Sequence, residues 1–538
     1  MRAAAASFNS SVRVQATEAA AFAKPRLAVL GLAVVALATM LWPQYTLGAA
    51  LLGAGALVVL VFPIAALVVV GCVGVGAALA SYPATTLVVA LLGIVAFLAA
   101  REPTLAFLLV LLLFGTEGTL KLLLTSEGSW GATDPLAVGA LLLDVALAIA
   151  LIGLVVRDRG ATPIAGWRAA RWPARVAAIS LGAWLAASAL QTAQGGDLVV
   201  GVAGFRLTQA YVAAAIAGLI LLERTAWSKV RVLQFMLFCL ALPAAYAAVR
   251  ALLGPSELER AFALGRPGVS VYGDVFRSVG SFSGAVGLAS YLVPAAVFAL
   301  LLALLVPRVR VHGAVVFCCA SVGVVASYAR VGLVALVVGL AFGGILALGI
   351  GASTRRQKLL FATCVVAAIG VVSASVALAS QTSSVLATRA RAFVDPASDE
   401  SLRIRFGTWE RVLDDVRAAP LGSGVGTVGR ASSLGADPVT TDNSFLKIAR
   451  EQGIVVAPLF VLGVFGMVVA AATGMRQARP TDRGIGIAAL AGFVSFLVLA
   501  AAGEYVEQPG KLLAWALLGL AAWAAWVSPA VKTTPETA

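Results

Sequence analysis

The chain has 538 residues, 61% of them hydrophobic and 12% charged. A soluble domain carries about 25% charged residues, so this composition excludes an ordinary globular protein and implies a polytopic membrane protein. The formal net charge of +14 does not point to nucleic acid, because the positive residues sit in short loops between apolar runs, as the positive-inside rule expects.

The first stretch, MRAAAASFNSSVRVQATEAAAFAKPR, is too long and too polar to open a signal peptide. It reads as a cytoplasmic tail, 1–26, ahead of a retained first span. Apolar runs follow at 27–43, 46–62, 64–81, 84–100, 104–124, 135–156, 174–192, 204–222, 230–252, 285–306, 311–328, 330–350 and 358–379, then at 454–474, 484–503 and 510–528. Runs of about 20 residues can each cross the hydrocarbon core as a helix. A β-barrel would show short alternating segments instead. The expected fold class is therefore all-α: a polytopic membrane helix bundle of about 14 spans, within about 12–16. The bundle is expected over 27–379, a large outer loop with amphipathic helices over 380–453, three last spans over 454–528 and a second cytoplasmic tail over 529–538.

Charge sets the orientation. One alternating set of loops holds Arg157, Arg159, Arg168, Arg171 and Arg175; Arg224, Lys229 and Arg231; Arg308 and Arg310; Arg355, Arg356 and Lys358; and Arg476, Arg479 and Arg483. These loops and both tails are expected in the cytoplasm. The other set includes the two longest loops, 253–284 and 380–453, which are then extracytoplasmic. The cysteines Cys72, Cys239, Cys318, Cys319 and Cys364 all fall in apolar runs and read as small buried hydrophobes. With one histidine, His312, beside Arg308 and Arg310, no metal cluster can be assembled, and no cofactor is expected.

Charged residues at the outer helix ends are the candidates for chemistry. Arg206, in GVAGFRLTQAY, Arg277, in GDVFRSVGSFSG, and Arg330, in ASYARVGLV, all map there. An arginine near a helix end can snorkel to the interface. Several at one depth suit a diphosphate, because guanidinium binds phosphate oxygens in a fork. Within the outer loop, Leu402, Phe406, Trp409, Leu413 and Val416 recur at helical spacing, with Arg405 at the edge of the stripe beside Trp409. APLGSGVGTVGR has the glycines of a phosphate loop but neither the lysine nor a clear following helix. TTDNSFLKIAREQG reads as a short amphipathic helix capped by Asp442 or Asn443, ending at Gly453. Asp442 is either part of that cap or a carboxylate held beside Arg330 and Arg405.

Four stretches in this order resemble the O-antigen ligase and polysaccharide polymerase superfamily: FRSVGSFSGAVGLASYL, SYARVGLVALVVGL, LRIRFGTWERVLDDVRAAPLGSGVGT and TTDNSFLKIAREQGIVV. The resemblance covers roughly 200–505. It implies a metal-independent glycosyltransferase of the bacterial cytoplasmic membrane, working at the outer face. Its donor is then a glycan on undecaprenyl diphosphate, and its acceptor a glycan or glycolipid hydroxyl. The family's diphosphate arginines fall on Arg330 and Arg405, with Arg277 and Arg206 as further candidates and Asn443 and Trp409 in support. The ligases' catalytic histidine falls on Asp442, a departure that favours a polymerase or another polysaccharide-transferring member. An aspartate can still serve as a general base. The rival reading is a lipid-linked glycan flippase, which needs charges along a mid-membrane path. Asp144, Glu223 and Glu504 are the few candidates, and they lie mostly near helix ends.

Overall fold

A computed structural model describes residues 83–530 apart from 127–134, 195–196, 224, 226, 258, 261–270, 273–274, 352–354, 383–399 and 435–438. Helices in chain order are α1 (Pro83–Arg101), α2 (Pro103–Gly115), α3 (Glu117–Ser126), α4 (Pro135–Asp158), α5 (Ala161–Ala169) and α6 (Trp172–Gln194). Next come α7 (Leu198–Thr208), α8 (Ala214–Ile220), α9 (Lys229–Leu253), α10 (Ala285–Leu305), α11 (Arg310–Ala326) and α12 (Arg330–Leu346). The last are α13 (Arg355–Thr382), α14 (Glu400–Ala418), α15 (Ser444–Gly474), α16 (Pro480–Ala501) and α17 (Gly510–Ala522). Two two-residue strands, Val271–Tyr272 and Val275–Phe276, pair antiparallel between α9 and α10.

The chain is an all-α membrane helix bundle. Among the described residues, 10 helices are long and apolar enough to cross a membrane. The apolar runs expected at 27–43, 46–62 and 64–81 and the N-terminal tail lie outside the described residues. The runs at 84–100 and 104–124 form shorter apolar helices, with the second broken at Thr116. Of the cysteines described, Cys239 is buried as expected, whereas Cys318 lies on the bundle surface and Cys319 and Cys364 are half-buried.

Two compact units are present. The smaller comprises Met1–Arg101 with Thr119–Ile149. Within it, Gly139 of α4 seats against Lys121 and Leu124 of α3. The larger comprises Glu102–Gly118 with Ala150–Ala538, and it carries every candidate site residue. Its centre is α10, α16 and α17. Their apolar windows are 83%, 83% and 100% buried, against 33–56% for the other spans of this unit, so these three form the core and the rest wrap it. Small residues permit the closest crossing: a Cβ on Gly218 or Gly519 would strike the Ala516 or Ala215 carbonyl between α8 and α17.

The basic loops meet at one end of this unit. Lys229 pairs with Asp482 at 3.4 Å, and Ser528 Oγ donates to the same carboxylate. Arg483 Nη1 donates to the Ile350 carbonyl at 2.7 Å, Gln234 to the Arg308 carbonyl, and Trp523 Nε1 to Glu223 at 2.6 Å. Gly166, from the 157–175 region, packs on Val527. From this end α16 runs 22 residues, a rise of about 33 Å. The candidate residues gather at its far end.

Candidate functional site

The site is built on the C-terminus of α16 and the loop that follows it, 502–509. A helix end leaves carbonyls without intrahelical donors. Here two are taken by side chains from elsewhere: Asn443 Nδ2 donates to the Ala501 carbonyl at 2.7 Å, and Arg405 Nη1 to the Ala502 carbonyl at 3.0 Å. Ser444 adds its N–H and hydroxyl to the Gly503 carbonyl. Guanidinium at a helix C-terminus also complements the negative end of the helix dipole. One helix end therefore fixes both the loop helix α14 and the start of α15.

The face of α14 that is buried differs from the stripe read from sequence. Val412 and Val416 are buried, while Phe406 and Leu413 are exposed. Arg405, Trp409, Val412 and Val416 follow i, i+4, i+7, i+11. That face is rotated by roughly 50° from the expected stripe at about 100° per residue. The shift arises because α14 packs on α15, where Arg450 pairs with Asp415 at 3.0 Å. It moves Arg405 from the edge of the stripe onto the packed face. Trp409 stacks edge-to-face on Phe406, and its indole N–H is buried without a partner among the described residues.

Arg277 and Arg330 reach the same end by another route. Segment 277–278 pairs with the turn between α11 and α12: Ser278 N donates to the Ala326 carbonyl and Arg277 Nε to the Ser327 carbonyl, both at 3.0 Å. Arg330 opens α12 three residues after Ser327. Between them Tyr328 has φ +50°. Arg405 and Arg277 both act electrostatically on the buried Tyr505 hydroxyl. Burial pushes the Tyr505 hydroxyl up to about 12, against the pull of the arginines. Arg206 lies in the last turn of α7, which packs on the turn Tyr505–Glu507, and the Leu207 carbonyl beside it accepts from Lys511.

Asn443, not Asp442, caps α15: its Oδ1 accepts from the Phe445 and Leu446 N–H groups at 2.9 and 3.1 Å. Asp442 precedes the cap in the left-handed region, φ +49°. It makes no hydrogen bond or ion pair with a described residue. Its neighbour Thr441 donates N–H and hydroxyl to Glu504 Oε1 at 2.6 and 3.0 Å. Asp442 is thus a half-buried carboxylate held between two anchored residues, one residue from the cap that meets Arg405's helix end.

The glycine-rich loop folds in a way that motif reading missed. Lys447 and Glu451 are one turn apart on α15 with fully buried side chains, 2.5 Å between Nζ and Oε1. Lys447 also pairs with Glu507 at 3.1 Å and donates to the Val428 carbonyl at 2.6 Å. Glu451 Oε1 accepts from the N–H groups of Gly426 and Val428, and Glu507 from that of Arg430. The loop's N–H groups are therefore taken by protein carboxylates and backbone carbonyls, so it is not a phosphate cradle. The loop also lies against the kink of α15. Gly453 has φ +75° and ψ 176°, and Ile454 N donates to the Pro420 carbonyl. A Cβ on Gly453 would strike Pro420, and one on Gly422 would strike Glu451. The signal for this cluster was present in the i, i+4 pair Lys447 and Glu451 beside a glycine-rich segment.

Residues 314–461 match the family model described as O-Antigen ligase. The chain carries an O-antigen ligase domain. The match supports placement in the O-antigen ligase/polymerase superfamily. With the apolar helices it supports a membrane glycan-processing enzyme. The O-antigen ligase domain spans less than half of the chain, yet includes Arg330, Arg405, Trp409, Asp442, Asn443, Lys447 and Glu451. Arg206, Arg277, Glu504, Tyr505 and Glu507 lie outside the matched segment and complete its surroundings. Among curated proteins, none matches the chain.

Proposed function

We propose that the O-antigen ligase domain transfers a glycan from a polyprenyl diphosphate donor to an acceptor sugar hydroxyl at the outer face of the cytoplasmic membrane. The observation that carries this reading is that Arg405 is bonded to Ala502, three residues from Tyr505, and Arg277 to Ser327, three residues from Arg330, with both Arg405 and Arg277 within electrostatic reach of Tyr505. Guanidiniums placed where a diphosphate leaves would stabilise the charge that develops on it. Arg330, Arg405 and Arg277 are the proposed diphosphate ligands, and Arg206 is a fourth candidate on the neighbouring helix.

The side is supported by the opposite end. The basic loops meet there through Lys229, Arg308 and Arg483, and basic loops favour the cytoplasm. The site then faces outward, at a lip where a lipid-borne donor can enter. Attack by the acceptor opposite the leaving diphosphate would invert the anomeric centre. Aspartate at the position of the ligases' histidine favours a polymerase or related polysaccharide transfer over lipid A ligation.

The test is a purified protein in nanodiscs, given an undecaprenyl-diphosphate oligosaccharide and a soluble glycan acceptor. Acceptor extension with release of undecaprenyl diphosphate, without added metal, is expected. Movement of the lipid-linked glycan across a bilayer without transfer would favour a flippase instead.

A further inference from the structure

A transferase of this kind must remove a proton from the acceptor hydroxyl, and a proton acceptor works best when a neighbouring group fixes its orientation. Asp442 has no orienting partner among the described residues. Glu504 has two: the N–H and the hydroxyl of Thr441, both on Oε1. Its second oxygen, Oε2, makes no hydrogen bond with a described residue. Glu504 follows Ala502, whose carbonyl holds Arg405, by two residues, and it adjoins Tyr505, on which both Arg405 and Arg277 act electrostatically. The carboxylate is therefore oriented by Thr441 through one oxygen, on a turn whose neighbouring residues Ala502 and Tyr505 interact with the proposed diphosphate arginines.

We propose that Glu504, rather than Asp442, is the base that takes the acceptor proton. This rests on the transferase reading above. The acceptor O–H proton passes to Glu504 Oε2 as the acceptor oxygen forms a bond to the anomeric carbon. The bond from that carbon to the diphosphate oxygen breaks, and its electron pair leaves with the lipid diphosphate. The proton on Glu504 is then lost to water. Asp442 has a different role at the rim: Thr441 and Asn443 hold it in place, and it presents a carboxylate to the acceptor's other hydroxyls.

The surroundings of Glu504 suit this task. Burial is the largest influence and raises its pKa, the Glu507 carboxylate raises it further, and the Thr441 hydrogen bonds and the Lys447 ammonium oppose this. The net shift is upward, toward the range where a carboxylate is a better base near neutral pH. Activity should fall as pH drops through this raised pKa, because the base is then protonated.

The test compares Glu504→Gln, Glu504→Asp and Asp442→Asn in the transfer assay, with donor binding and thermal unfolding measured alongside. Glutamine keeps an oxygen for Thr441, so folding and donor binding should persist. The expected result is a fall in kcat of about 100-fold or more for Glu504→Gln, with donor KM unchanged and the acidic fall of the wild-type pH profile gone from the residual rate. Glu504→Asp should keep part of the rate and that acidic fall, and Asp442→Asn should raise acceptor KM more than it lowers kcat. If Glu504→Gln turns over near the wild-type rate, or if Asp442→Asn alone removes the acidic fall, the proposal is overturned. Should Glu504→Gln unfold, a Glu504→Asp profile identical to wild type in rate and pH dependence would overturn it equally. A wild-type protein that binds donor but transfers nothing would instead overturn the transferase reading.

Discussion

Arg405 and Asn443, 38 positions apart in sequence, donate to adjacent carbonyls, Ala502 and Ala501, at one end of α16. The relationship ties the outer-loop helix to the short helix at the membrane lip, and it sets Arg405 beside the Glu504–Tyr505 turn. The Ala502 contact is one hydrogen bond, and such a bond contributes only about 1 kcal/mol net.

Arg405→Ala should therefore shift thermal stability little and abolish transfer, with a loss of about 100-fold or more. Arg405→Lys should recover only a small part, because a point charge does not reproduce the fork. Rate and unfolding midpoint on the same preparation check this; a large stability loss with wild-type rate in the folded fraction would contradict it.

Lys447 neutralises part of a buried group that holds Glu451 and Glu507. Removing one partner of a buried ion pair costs about 3–5 kcal/mol, because the other charges stay buried. Lys447→Met should sharply lower the yield of folded protein, and Glu451→Gln in the same chain should restore part of it. Yield and unfolding midpoint in detergent give the readout, and a stable Lys447→Met protein would show that the cluster does not hold the loop.

Gly453→Ala meets two obstacles, a backbone conformation open almost only to glycine and contact with Pro420. Strain of this kind costs on the order of 1–3 kcal/mol before the collision is added. The expected outcome is loss of stability together with loss of order in the 420–430 loop, visible as new protease cleavage there.

The bundle was legible because apolar length and charge alternation are read residue by residue. The arginines at helix ends were legible for the same reason, since few charges occupy such positions. The cap was only half legible, because Asp442 and Asn443 both favour helix starts and the choice between them is made by the Ala501 carbonyl, far away in sequence. The same holds for Glu504. Nothing local marks it as a partner of Thr441, and read alone it was only a charge near a helix end. Lys447 and Glu451 were legible as an i, i+4 pair, but not as a buried one, because the loop that covers them and Glu507, which completes the cluster, are brought in only by the fold.

Orientation has a direct check. In a chain whose five cysteines are replaced by alanine or serine, a membrane-impermeant maleimide should label Ser433→Cys in intact cells, because Ser433 is exposed on the loop proposed to lie outside. Arg479→Cys, in a basic loop, should label only after permeabilisation. The reverse pattern would place the site on the cytoplasmic side.

The central claim is that Arg277, Arg330 and Arg405 together hold a lipid diphosphate. The most direct measurement is a cryo-electron microscopy structure in nanodiscs with an undecaprenyl-diphosphate sugar bound. The account predicts phosphate density within hydrogen-bonding distance, about 3 Å, of Arg330 and Arg405, with Arg277 beside it and the sugar directed toward Glu504. Phosphate density at the basic end near Arg483, or at the site but away from all three arginines, would contradict it.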